Sequence, residues 1–400
     1  MLNILILHNL GNPKHWRSSV AELELAIPLY APQHNYIVHN VSLPLPEYIK
    51  ELDYHGIILG PTFLSRRISK WRDAFLQAYD FIKHKNACKI ALPQDEYNCC
   101  AMLDQWVTDW NVDKVYTVCY DHRDILFPNY IKCGGTVEPG YTGYITPRMI
   151  AFSKNPKPHY QRTVDVSYRA KGTPTLLNHL TYIKAVIGKR FVEAFGDQDL
   201  KLDISVDDKD AIYGNQWYTF IENSKYTIGT NSGSSLIDPY GEIRMKYLGF
   251  IAAHPLASFE EIEKHCFPGL DRQHILTAIS PRVLEAGLLK TGQILTPGAY
   301  SNLILPWEHY IPLEEDCSNK DEVAPVLKDL RVLEKLTSAC KEALLSVDRL
   351  RIERRVQNLI VDIIHVVNQR NIISDTEKFI KLKKQHQVIL QQLTYAKWGY

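Results

Sequence analysis

Four hundred residues, 45% hydrophobic and 23% charged, have room for two or three domains with ordinary globular cores. A formal net charge of +1 provides no global electrostatic pull toward nucleic acid. No apolar run approaches the ~20 residues that span a bilayer.

The opening Leu2-Asn-Ile-Leu-Ile-Leu lacks a basic n-region, so no secretory signal is expected. The eight cysteines contain no C-x-x-C pair and no metal-ligand spacing, and Cys99–Cys100 would bridge each other only with strain. Scattered thiols of this kind fit a reducing cytoplasm. The 23 Tyr and 7 Trp suit carbohydrate faces as well as core packing, and composition alone does not separate those uses.

In chain order, residues 2–7 read as a buried strand ending at His8-Asn9, and a helix follows over 16–25. Strands are expected at 36–39, 56–60, 89–93 and 114–119, with helices at 70–83 and 102–110 between them. The closely spaced Gly and Pro of 134–147 suggest a linker. The alternation then restarts: strand 164–168, helix 176–195, strand 201–206, helix 216–224, and strands at 226–229 and 246–252. Alternation of this kind implies parallel sheets, with ligands at the carboxyl ends of the strands. From about 322 the pattern is helical, and from Lys328 onward 14 Lys/Arg face 8 Asp/Glu. The expected division is therefore 1–150, 151–325 and a helical segment 326–400 that packs across both domains.

Several polar groups fall at those strand ends. His8 and Asn9 follow the first strand, where they would line an acceptor site. Asp95 and Glu96 follow the strand at 89–93, where a carboxylate would deprotonate an acceptor hydroxyl. Arg169-Ala-Lys171-Gly172 suits a diphosphate or a sugar-acid carboxylate, whereas Lys184 and Lys189 on the next helix read as solvated. The segment Thr230-Asn-Ser-Gly-Ser-Ser-Leu-Ile-Asp238 offers hydroxyls at Ser232 and Ser234 around Gly233, a loop that brings backbone N–H groups near phosphate. Asp238 is either a sugar-contacting carboxylate, a nucleophile in a retaining reaction, or one corner of an Asp-Pro-Tyr-Gly turn.

Ser280-Pro281-Arg282-Val-Leu-Glu285 opens a helix, with Ser280 as N-cap and Pro281 at its first position. Glu285 lies one turn in, where a carboxylate can grip ribose hydroxyls or simply complement the helix dipole, worth ~0.5 kcal/mol. Strands at 293–295 and 309–313 and a helix capped near Ser318 complete the unit.

Over 164–323 this pattern resembles the nucleotide-binding half of two-domain (GT-B) glycosyltransferases, especially bacterial enzymes of surface-polysaccharide synthesis. The resemblance implies an α/β chain with two Rossmann-like domains facing a cleft and C-terminal helices. It also implies that Arg282 and Glu285 contact a donor nucleotide. One departure is Thr277, eight positions before Glu285, where many relatives carry an acid. His254-Pro255, followed by Ser280-Pro281, is similar to transferases that use CMP-linked ulosonic acids such as CMP-Kdo, in which the His and Ser would assist phosphate departure. The expectation is a cytoplasmic transferase, in peripheral contact with the inner membrane face at most. It would use a nucleotide sugar and a saccharide or lipid-linked saccharide acceptor, with no metal cofactor and no nucleic acid partner. A sugar- or partner-binding protein that keeps the fold without catalysis is the alternative.

Overall fold

A computed structural model describes residues 1–15, 18–170 and 178–398. The chain divides into two compact units: 1–140 with 239–241 and 352–400, and 141–238 with 242–351.

The first unit is built on six strands: β1 (Asn3–His8), β2 (Asn35–Asn40), β3 (Gly56–Leu59), β4 (Cys88–Ala91), β5 (Lys114–Thr117) and β6 (Thr136–Pro139). They are all parallel, in the order β2-β1-β3-β4-β5-β6. Ile4, Leu5, Ile6 and Leu7 are fully buried, as expected for a strand covered on both faces. The order reverses between β1 and β3, which makes the ends of those strands a topological switch point.

The second unit carries β7 (Val164–Arg169), β8 (Leu202–Ser205), β9 (Ser224–Gly229), β12 (Gly292–Leu295) and β13 (Ile311–Pro312), all parallel, in the order β13-β12-β9-β7-β8. Its switch point lies between β7 and β9. A separate antiparallel ribbon pairs β10 (Ser232–Ser234) with β11 (Leu276–Ala278). Successive residues of β12 point to opposite faces. Ile294 therefore joins the cluster of helices His179–Phe195 and Lys320–Lys328, and Leu295 joins that of Asn215–Glu222 and Pro281–Leu288.

The structure departs from the sequence reading in several places. The expected linker at 134–147 contains β6, a short exposed edge strand reached through Gly134 at φ +85°. Its four residues give little periodic signal, and their Gly and Pro neighbours mask it. The expected strand at 246–252 is part of the helix Glu242–Ala253, which packs on the helix Phe259–Cys266. Tyr247-Leu-Gly-Phe-Ile-Ala-Ala is apolar without alternation, and periodicity does not separate strand from helix in so short a run.

The helix expected over 70–83 is α-helical only at Arg72–Tyr79 and tightens to 3-10 over Asp80–His84. The strand expected at 309–313 keeps two residues. The helix expected to be capped near Ser318 begins at Lys320, with Asn319 at its cap position. The helices after 326 are shared out: Leu330–Ser346 belongs to the second unit, while Ile352–Arg370 and Thr376–Trp398 belong to the first. Among the described residues no helix is long and apolar enough to cross a membrane.

Candidate functional site

The carboxyl edge of the second sheet gathers several of the expected residues. The helix Pro281–Leu288 starts there with Pro281 at its first position, and Ser280 makes no side-chain cap bond. Ser280 and Arg282 instead line a tight cavity of about 20 Å³, room for about one water-sized group, together with Lys184, Thr230 and Ser232, above Thr227 and Gln293. Two cations and several hydroxyls converge there, a set that suits a phosphate oxygen. Lys184, read as solvated from sequence, is half-buried on this wall. Lys189 is exposed and pairs with Glu193.

Beside the pocket Arg282 is held by aromatic faces. Its guanidinium lies 5.1 Å from the Trp217 ring centre and 5.6 Å from that of Tyr168, and it donates to the Arg169 carbonyl oxygen. Burial lowers the Arg282 pKa, and nearby Tyr168 and Glu285 oppose that shift. Glu285 lies deeper, only 8% exposed, and accepts the indole N–H of Trp217 at 2.6 Å. Burial raises its pKa, while the Trp217 hydrogen bond and the charges of Arg282 and Arg148 pull it back. Arg169, Arg282 and Glu285 are thus brought into one network.

Trp217 was missed by the sequence reading. The available signal was an indole in the first turn of the helix that follows β8, on the side of the sheet where ligands collect. Arg169 itself has little left to offer a ligand. It forms an ion pair with Asp203 at 2.6 Å, donates to the Tyr168 and Asp203 carbonyls, and stacks 4.7 Å from the Phe220 ring centre. Lys171 lies outside the described residues.

The hydroxyl-rich segment divides. Ser232 faces the pocket, but Ser234 and Ser235 are buried around Asn178, whose side chain caps the helix His179–Phe195. Gly233, at φ +120°, is required by the ribbon, since a Cβ there would lie 1.9 Å from the Leu276 carbonyl oxygen. Thr277 is on that ribbon, opposite Gly233. Asp238 is 2% exposed and accepts the backbone N–H groups of Ile243 and Arg244 at 3.3 and 2.9 Å, so its carboxylate caps the helix Glu242–Ala253. His254 follows that helix rather than a strand. It is exposed, stacks on Phe250 with ring centres 4.5 Å apart, and is not among the residues lining the Ser280 pocket.

In the first unit, His8 is buried at the end of β1, and burial lowers its pKa to about 4, so it is neutral at ordinary pH. The Asn9 backbone N–H donates to the Thr62 hydroxyl oxygen at 2.7 Å. Asp95 is exposed in the left-handed region at φ 51° and accepts the Tyr97 hydroxyl. Glu96 is fully buried, accepts from the Thr117 hydroxyl and the Val118 N–H, and has its pKa pushed up to about 7 by burial. That arrangement ties the loop after β4 to the end of β5. Among the described residues no group of three or more His, Cys, Asp or Glu is placed to hold a metal ion.

No protein-family model matches the sequence, and no curated protein matches it. Among solved structures, an alpha-glucosyltransferase in complex with UDP-glucose and DNA containing an abasic site aligns with a TM-score of 0.53. It is 10% identical and covers 91% of this chain and 99% of its own. An alpha-glucosyltransferase in complex with UDP aligns with a TM-score of 0.51 at 10% identity, over 91% of this chain and 100% of its own. Identity that low speaks to architecture alone. Two parallel α/β sheets with helices at the C-terminus, matched over nine-tenths of the chain, constitute a GT-B fold.

Proposed function

We propose that this chain is a glycosyltransferase whose second unit binds a nucleotide-activated sugar. The observation that carries this reading is the Arg282–Trp217–Glu285 network beside the Ser280–Arg282–Lys184 pocket, at the carboxyl edge of a GT-B sheet. Arg282, Lys184 and the Ser280 hydroxyl would stabilise the departing diphosphate, with Glu285 on the ribose. Their work is positioning and charge stabilisation, which needs little covalent chemistry from the protein. The first unit would present the acceptor hydroxyl at the ends of β1 and β4.

A UDP-sugar donor is favoured over CMP-Kdo. The neighbours were solved with UDP or UDP-glucose, and His254 stands apart from the Ser280 pocket on which the CMP reading leans. A saccharide acceptor of bacterial surface-polysaccharide synthesis remains the proposed substrate, with a lipid-linked form reached from the cytoplasmic face. Exposed Lys378, Lys381 and Lys384 on the last helix support peripheral contact with an anionic surface.

A thermal-shift series with UDP, GDP, CMP and dTDP tests the donor, since selective binding raises apparent stability. The expected result is a shift with UDP, followed by slow hydrolysis of the matching sugar donor that Glu285→Ala abolishes. Binding without turnover across donors would instead favour a non-catalytic protein. Acceptor panels should include DNA, because one neighbour was solved with a 13-mer DNA containing a HMU base.

A further inference from the structure

The switch point of the first sheet holds a carboxylate that the sequence reading did not single out. Glu24 ends the helix Ser18–Glu24 and is 5% exposed. One of its oxygens accepts the Thr62 backbone N–H at 2.7 Å. Thr62 passes the contact on, because its hydroxyl oxygen accepts the Asn9 backbone N–H. The other Glu24 oxygen is buried with no hydrogen-bond partner. It lies against Gly60, at the end of β3: a Cβ there would fall 2.0 Å from this oxygen and 2.9 Å from the Leu7 carbonyl oxygen. Only a glycine leaves room for the carboxylate at this point.

Buried polar atoms are nearly always paired, so an orphaned carboxylate oxygen at a ligand-gathering position requires a reason. Burial pushes the Glu24 pKa up to about 7, against the Thr62 hydrogen bonds and the charge of Arg355, which pull it down. Arg355 comes from the helix Ile352–Arg370, packed in the same unit. His8, at the end of the neighbouring strand, stays neutral through this range.

We propose that Glu24 is a positioning residue for the acceptor: when ionised it clamps Thr62, and through Thr62 the Asn9 backbone, in the geometry that receives the acceptor hydroxyl. When protonated it holds Thr62 through a weaker, neutral hydrogen bond, and the β1–β3 end loosens. The inference rests on the reading that the first unit contacts the acceptor. Charge-assisted hydrogen bonds are roughly twice as strong as neutral ones, so the effect on acceptor KM is about three- to tenfold.

The test compares wild type with Glu24→Gln and Thr62→Val, measuring acceptor KM and kcat from pH 6 to 8. Melting curves with and without UDP are recorded on the same preparations. Wild-type acceptor KM should rise as pH falls through neutrality. Glu24→Gln keeps an oxygen for the Thr62 N–H but cannot ionise, so its KM should be weak and flat with pH. Thr62→Val should raise KM while retaining the pH inflection, because Glu24 still titrates. All three should keep the same UDP-induced shift. A folded Glu24→Gln that tracks the wild-type pH profile, with normal nucleotide binding and turnover, overturns the assignment of Glu24. A wild-type chain that binds none of the nucleotides overturns the transferase reading instead.

Discussion

Trp217→Phe removes one donor from the site and leaves most of the ring in place. The indole N–H is donated to Glu285 at 2.6 Å, and Glu285 is only 8% exposed, so little water can replace it. Losing a hydrogen bond to a buried charged acceptor costs about 1.5–3 kcal/mol. Arg282 retains an aromatic face in the variant, and most of its stacking should survive. For a unit of roughly 200 residues that penalty lowers Tm by about 3–12 °C.

The pH dependence carries a definite sign. Burial already raises the Glu285 pKa, and the Trp217 hydrogen bond opposes that rise, so the variant raises it further. A carboxyl whose folded pKa is raised destabilises the fold as pH climbs above its unfolded value, because the unfolded chain gives up its proton first. The gap between wild type and Trp217→Phe is therefore widest at pH 8 and closes toward pH 5. Melting curves at those two pH values, with and without UDP, measure both the gap and the nucleotide-induced shift. A gap equal at both pH values, or no gap, would refute the claim that this hydrogen bond holds an ionised Glu285.

Three further outcomes follow from buried groups. Asp238→Asn should keep one of its two capping hydrogen bonds, lose ~1–2 kcal/mol and retain donor hydrolysis; abolished hydrolysis in a folded Asp238→Asn protein would support a nucleophilic role. Glu96→Gln should stabilise the protein above pH 7, on the order of 1–3 kcal/mol, with no effect below pH 4.5, because the folded pKa of about 7 exceeds the ordinary 4.5. Denaturant midpoints across pH test this, and a stability loss at pH 8 would contradict it. Gly233→Ala should cost ~3 kcal/mol or more, since φ +120° and a Cβ 1.9 Å from a backbone oxygen leave no relaxed alternative. A wild-type melting curve for that variant would show that the ribbon gives way easily.

The legible parts of this chain were those where local pattern and global role agree. Buried parallel strands announce themselves as short apolar runs, and β1, β3, β4, β7 and β9 were found within a residue or two. Ser280-Pro281 marked a helix start for reasons local to the backbone, and Arg282 and Glu285 lie on that helix. Asp238 and Glu96 looked equally promising in sequence, yet both oxygens of Asp238 accept backbone N–H groups, and one oxygen of Glu96 takes the Thr117 hydroxyl and the Val118 N–H while the other is buried without a hydrogen bond. Whether a carboxylate binds the backbone or a ligand depends on which amides fold back toward it.

Sequence alone therefore determined most of the buried strands, the parallel α/β class and the helix that carries Arg282. Those depend on residues close together in the chain, through hydrophobic period and capping chemistry. Only the tertiary structure decided that Trp217 holds Glu285 across 68 positions, that Lys184 lines the pocket, and that Glu24 meets Thr62 beside Gly60. Such contacts join residues far apart in the chain. Their energies come from desolvation and hydrogen bonding, which are defined only once strands pair and the helices cover them.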